Sequence, residues 1–173
     1  MLRNRTTEDK SVFVTVGTTQ FDDLIKTATQ IETLEVLKKL GYTRILLQTG
    51  CGSYRPDVTP AAGAVDVSYY DYKPSIKQDI EEASLVISHA GAGSVLETLS
   101  AGKALLVIIN EQLMGNHQVE LAHQLCADGH LHYCTRSELT ETLQRVSFSN
   151  LKPFAPGKPE LFSQFLDSVM GFS

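Results

Sequence analysis

A chain of 173 residues, 42% hydrophobic and 20% charged, carries enough apolar surface to close a single core. A net charge of −5 argues against a nucleic-acid partner, and the longest wholly apolar run, residues 104–109, falls far short of the roughly 20 residues of a membrane span. Cys51, Cys126 and Cys134, an odd number without Cys-x-x-Cys spacing, read as reduced thiols of a cytosolic protein.

The first ten residues, MLRNRTTEDK, have no apolar centre, are not a signal peptide and read as a flexible polar leader. SVFVTV, 11–16, predicts a strand ending at Gly17. Residues 22–40 place Leu24, Ile25, Ala28, Ile31, Leu34 and Leu37 at helical spacing and predict one helix stopped by Gly41. A second strand is expected over 44–48, broken by Gly50 and Gly52, then a loop with two prolines and a third strand over 65–69. A short helix over 75–83, a strand over 85–88, a helix over 93–101 closed by Gly102 and a strand over 104–109 follow. The last part of the domain predicts a helix over 116–128, a short strand over 131–133 and a helix over 137–146 capped by Ser137. Three prolines mark 147–159 as a linker. Leu161, Phe162, Phe165, Leu166 and Val169 then give 160–173 the stripe of a C-terminal helix, which must bury those groups on its own domain or on a partner.

Strands separated by helices imply an α/β fold: a Rossmann-like, doubly wound parallel sheet covered on both faces, one domain over 11–146. Right-handed crossovers give the strand order 3-2-1-4-5-6. That order sets the first and fourth strands side by side where the winding reverses, and ligands of such sheets lie outside the carboxyl ends at that point. Three loops meet there: GTTQF after the first strand, HAGAGS after the fourth, and 110–118 after the fifth.

Gly91 and Gly93 let backbone amides approach an anion, and the helix that follows points its N-terminus at the same spot. Ser94 and Glu97 also spell Ser-x-x-Glu, a capping box that would satisfy the helix end without a ligand. Glu97 has two readings, that cap or a carboxylate accepting from the vicinal hydroxyls of a ribose. Thr18 and Thr19 offer hydroxyls and amides to a phosphate, or simply turn the chain. Asn116, His117 and Gln118 cluster neutral donors and acceptors suited to a sugar, unless Asn116 is only an N-cap. His130, His132 and Cys134 alternate along a strand as metal ligands would, but no fourth ligand is evident and a short strand of mixed polarity explains them. No Gly-x-Ser-x-Gly elbow and no P-loop lysine is present.

The stretches VFVTVGTTQFDDLI, LGYTRILLQTG, YYDYKPSIKQDIEEASLVISHAGAGSVLETLSAGKALLVIINEQLMGNHQVELAHQL and GHLHYC cover most of residues 12–134. Together they resemble the donor-binding half of MurG-like GT-B glycosyltransferases, glycosyltransferase family 28. Within it they are similar to the catalytic subunits of the eukaryotic UDP-N-acetylglucosamine transferases of the dolichol-linked oligosaccharide pathway. The resemblance implies that Gly17, Thr18 and Thr19 touch the donor's pyrophosphate and that the backbone at Tyr72 and Lys73 reads uracil. It implies that Ala92, Gly93 and Ser94, beside Gly91, hold the diphosphate, that Glu97 holds the ribose, and that His117 and Gln118, beside Asn116, hold the donor sugar. His89 stands where the family usually carries a basic residue near the uridine.

A GT-B enzyme works in the cleft between two Rossmann-like halves, and this chain carries one. The resemblance therefore implies a heterodimer with a membrane-anchored, acceptor-binding subunit, at the cytosolic face of the endoplasmic reticulum. The expected reaction is inverting transfer of N-acetylglucosamine from UDP-N-acetylglucosamine to N-acetylglucosaminyl-diphosphodolichol, the second step of N-glycan precursor assembly. The general base is expected on the partner, and no cofactor or metal is expected. Two alternatives share the donor site: a subunit of a split bacterial-type exopolysaccharide transferase, and a non-catalytic UDP-sugar-binding assembly subunit.

Overall fold

The computed structural model describes residues 9–58, 64–110 and 116–154, the side chains of Asn116 and His117 excepted. Six parallel strands form one sheet: β1 (Lys10–Thr15), β2 (Tyr42–Gln48), β3 (Asp66–Tyr70), β4 (Leu85–His89), β5 (Ala104–Ile109) and β6 (His132–Thr135), in the order β3-β2-β1-β4-β5-β6. The expected order is the observed one. Helices α1 (Asp22–Ala28), α2 (Ile31–Lys39), α3 (Lys77–Glu82), α4 (Ala92–Ser100), α5 (Asn116–Ala127) and α6 (Leu139–Arg145) cover it.

Alternation along the central strands feeds two cores. Val12, Val14, Ile45, Leu47, Ile87 and Ile108 face α1, α2 and α6, packing on Leu24, Ile25, Leu37 and Leu139. Phe13, Val86, Leu105 and Val107 face the other way, onto Ile80, Val95, Leu99, Leu121 and Leu125. Burial on both faces is why the central strands read as nearly unbroken apolar runs. Each large side chain sunk in this way contributes about 1.5–3 kcal/mol.

The sequence reading departs from the structure at several points. The helix expected over 22–40 is two helices, with Gln30 extended between them (φ −62°, ψ 149°). Threonines explain the break: the hydroxyls of Thr27 and Thr29 bond back to the carbonyls of Asp23 and Ile25, both at 2.8 Å, and such bonds bend helices. Thr33, fully buried, donates to the Thr27 carbonyl across the break and meets Thr140 of α6 at 3.0 Å. Ser137 is not the cap of a helix over 137–146. A 3-10 turn, Arg136–Glu138, comes first, and the Glu138 carboxylate accepts from both the amide and the hydroxyl of Thr135. The first strand begins at Lys10, inside the stretch read as leader.

The segment read as a linker is docked on the domain as far as it is described. The Lys152 amide donates to the Gly129 carbonyl at 2.8 Å, and the rings of His132 and His130 meet Phe148 and Phe154 edge-on. The C-terminal helix expected over 160–173, the end of that linker and most of the leader lie outside the described residues.

Candidate functional site

β1 and β4 run in register from Val12↔Leu85 to Thr15↔Ser88, so the chain leaves both strands side by side. After β1, Gly17 turns with φ +61°. Its amide donates to the Thr15 hydroxyl at 3.0 Å, and that hydroxyl donates in turn to the Gln48 side-chain carbonyl. Thr15 and Gln48 are buried, so the turn stands on a closed polar chain between the ends of β1 and β2. Thr19 commits its hydroxyl to the Val16 carbonyl at 2.7 Å, which makes it a turn residue, whereas Thr18 lines a cavity.

Gly50, also at φ +61°, lies so close beneath this turn that a Cβ there would stand 2.3 Å from the Thr19 carbonyl oxygen. The Cys51 amide donates to that same carbonyl, and the Gly50 amide donates to the Asp71 carbonyl at 2.9 Å. The loops after β1, β2 and β3 are thereby laced together. His89, at the end of β4, fills the space between the two glycine loops. A Cβ on Gly17 would meet its Cε1 at 3.0 Å, and one on Gly91 would meet its Nε2 at 2.3 Å. Burial holds its imidazole below the ordinary 6.5, partly offset by the Thr15 carbonyl. His89 is thus a spacer between the loops.

α4 begins at Ala92 with Gly91 as its N-cap, and no side chain caps it. The capping box expected of Ser94 and Glu97 does not form, because both residues already lie inside the helix. The first amides of α4, at Ala92, Gly93 and Ser94, are left to whatever approaches that end. A Cβ at Gly93 would touch nothing within 4 Å, so the protein's own packing does not demand glycine there.

A cavity of about 280 Å³ opens beside these loops. It brings together Gly17, Thr18, Tyr72, Lys73 and Glu97, drawn from two loops and α4. The sequence reading missed Gln48, Pro74, Ser75 and Ile76, which complete its walls. Gln48 could have been found as a polar residue closing a strand at the sheet's carboxyl edge, where ligands of this fold lie. Thr19, His89, Gly91, Ala92, Gly93 and Ser94 are not among the wall residues; they build the adjoining turn and helix end. Asn116 and His117 open α5, with side chains outside the described residues, and Gln118 follows them, half-buried.

His130, His132 and Cys134 are accounted for by the packing of β6 and the segment that follows α6. His130 Nδ1 and His132 Nε2 meet the carbonyls of Lys152 and Ser147, both at 3.1 Å, and Cys134 is buried in the core. Among the described residues no group of three or more His, Cys, Asp or Glu side chains is placed to hold a metal. The three cysteines are free, and burial pushes the Cys134 thiol up to about 11. Among the described residues no helix is long and apolar enough to cross a membrane.

The chain is 53% identical over 150 residues to the human UDP-N-acetylglucosamine transferase subunit ALG13, covering 86% of this chain and 13% of that protein. To the ALG13 subunit of Saccharomyces cerevisiae it is 28% identical over 192 residues, covering 92% of this chain and 95% of that one. It thus spans a small part of the human relative and nearly all of the yeast one. An NMR solution structure of ALG13 superposes with a TM-score of 0.70 at 26% identity, over 92% of this chain and 96% of that chain. The crystal structure of MurG from Acinetobacter baumannii gives 0.66 at 19% identity, over 96% of this chain and 51% of that one, a likeness of fold. The model of the glycosyltransferase family 28 C-terminal domain matches residues 11–169, a span that takes in all of the sheet except Lys10 and every residue lining the cavity. The chain therefore belongs to the glycosyltransferase family 28 C-terminal domain family.

Proposed function

We propose that this chain is the donor-binding subunit of a two-part glycosyltransferase that moves N-acetylglucosamine from UDP-N-acetylglucosamine to N-acetylglucosaminyl-diphosphodolichol. The observation that carries the reading is the cavity in which Gly17, Thr18, Tyr72, Lys73 and Glu97 meet, beside the uncapped start of α4. The diphosphate would lie across the Gly17 turn and the amides of Ala92, Gly93 and Ser94. Glu97, on the same helix, would accept from the ribose hydroxyls. The 72–76 wall would hold the uracil, and Asn116, His117 and Gln118 the sugar.

In the reaction the acceptor hydroxyl attacks the anomeric carbon, the bond to the UDP oxygen breaks, and configuration inverts. Negative charge builds up on the departing diphosphate. Fixed amides and the helix dipole at α4 would stabilise it without reorganising, and on this reading no metal or other cofactor is needed. The base that takes the acceptor's proton would stand on the other half of the cleft, supplied by a membrane-anchored subunit at the cytosolic face of the endoplasmic reticulum. The names of the similar ALG13 proteins, each a transferase subunit, support a multi-chain enzyme.

The test is an NMR titration of the chain with UDP and UDP-N-acetylglucosamine, followed by a transfer assay on a lipid-diphosphate-linked N-acetylglucosamine acceptor. The expected result is weak binding with shifts at Gly17, Thr18 and Ala92–Ser100, and no transfer by the chain alone. Absence of UDP binding would overturn the donor site. Robust transfer by the pure chain would overturn the two-subunit reading.

A further inference from the structure

Asp79 is not among the residues that line the cavity. It belongs to α3, its side chain is 7% exposed, and its carboxylate is the point on which the neighbouring groups converge. The Tyr70 hydroxyl, at the end of β3, donates to Oδ2. The Lys73 ammonium, from the connecting loop, donates to both oxygens at 3.3 and 3.2 Å, and lies 4.2 Å over the centre of the Tyr70 ring. A carboxylate is costly to bury unless its charge is paired and its lone pairs are used, and here both conditions are met.

The consequence is geometric. The loop 71–76 runs from β3 to α3, and Tyr70 before it, Lys73 within it and Asp79 after it are joined at one carboxylate. The segment it suspends, Tyr72 to Ile76, is one side of the cavity. Lys73 lines that cavity, half-exposed, with its ammonium paired to Asp79. The 72–76 segment therefore offers the cavity a held contour and a cation already paired, which suits a flat, uncharged nucleobase better than a phosphate. Burial and the neighbouring carboxylate push the Tyr70 hydroxyl far above its usual range, so it remains a donor throughout the working pH.

We infer that Asp79 is a positioning residue for the base end of a bound nucleoside diphosphate, acting through Tyr70 and Lys73 without touching the ligand. The inference rests on the donor-site reading above and assigns one end of that site to a group outside it.

The experiment compares the full chain with Asp79→Asn, which keeps the shape and an acceptor for Tyr70 but removes the charge that holds Lys73. Each is titrated by NMR with UDP and with inorganic pyrophosphate, which has no base end. The expected result is a UDP dissociation constant raised about tenfold, the scale of one lost charge-assisted hydrogen bond, with pyrophosphate changed by less than about twofold. A general loosening of the domain would weaken both ligands together, and that outcome overturns the inference. So does unchanged UDP affinity in the folded variant. Should Asp79→Asn fail to fold, Tyr70→Phe removes one of the three bonds and keeps the ring. It should weaken UDP about threefold and spare pyrophosphate, and equal UDP affinity overturns the inference. A parent chain that binds pyrophosphate but not UDP removes the donor-site reading and the inference with it, whereas a parent that binds UDP as tightly as Asp79→Asn removes the inference alone.

Discussion

Glu97 shows how one side chain changes meaning between sequence and structure. Three residues after Ser94 it spells a capping box. In the fold both sit past the first turn's start, since α4 begins at Ala92, and no side chain caps the helix. That leaves its exposed carboxylate on the cavity wall. Glu97→Gln should therefore weaken UDP binding on the order of 1–3 kcal/mol, the range for a hydrogen bond to a charged group. It should leave the melting temperature nearly unchanged, as surface substitutions do. Isothermal calorimetry and a thermal melt check both halves; a lower melting temperature with intact binding would make Glu97 structural. Its place at the site was legible from its spacing after the glycine loop. Gln48 was passed over as the last residue of the apolar strand RILLQ, although a polar side chain at the carboxyl edge of the sheet marks it. Asp79 was not legible, because its meaning lies in Tyr70 and Lys73, brought to it only when the loop closes.

At the scale of elements, α4 carries a glycine that the protein does not need for itself. Gly93 is the second residue of the helix, where glycine costs no more than the helix-interior figure of about 0.5–1 kcal/mol relative to alanine, and a Cβ there would meet nothing within 4 Å. Gly17, Gly50 and Gly91 differ, since each would drive a Cβ into a neighbour. Helical Cα–Cβ bonds tilt toward the N-terminus, so a methyl at Gly93 would lean toward the amides proposed to hold the diphosphate. Gly93→Ala should raise stability to denaturant by at most about 0.5–1 kcal/mol and lower UDP affinity at least several-fold. A urea titration and a binding isotherm on the same preparation read both, and unchanged affinity would place the diphosphate elsewhere. The helix itself was legible from periodicity to within a residue. The break between α1 and α2 was not: the apolar positions of 22–40 keep one helical phase, while the threonine hydroxyls that bend the chain carry no periodic signal.

Over the whole molecule, strand order was legible because alternation and crossover handedness leave few alternatives. The path of residues 147–154 was not, since prolines announce a linker without saying that His130 and His132 will hold it down. Stability against pH is the global property to which His89 contributes. Unfolded, its imidazole titrates near 6.5; folded, burial holds it lower. Above 6.5 both states are neutral and pH has no effect through this group. As pH falls through 6.5 the unfolded chain takes up a proton that the folded chain refuses, so stability declines until the folded value is reached, at no more than about 1.4 kcal/mol per pH unit. Asp22 and Glu138 belong to a different window. Their carboxyls are held below the ordinary 3.8 and 4.5, Asp22 by Ser53 and Tyr54 against desolvation and Glu138 by Thr135. Their contribution is complete above those ordinary values and is lost only as pH falls further. A decline that sets in as pH falls below about 6.5 is thus the signature of a neutral, buried imidazole. Urea unfolding of the parent should show that decline, and His89→Gln, whatever its absolute stability, should flatten it. An equal slope in both proteins would mean that His89 accepts its proton freely in the fold and does not separate the two glycine loops as a neutral spacer.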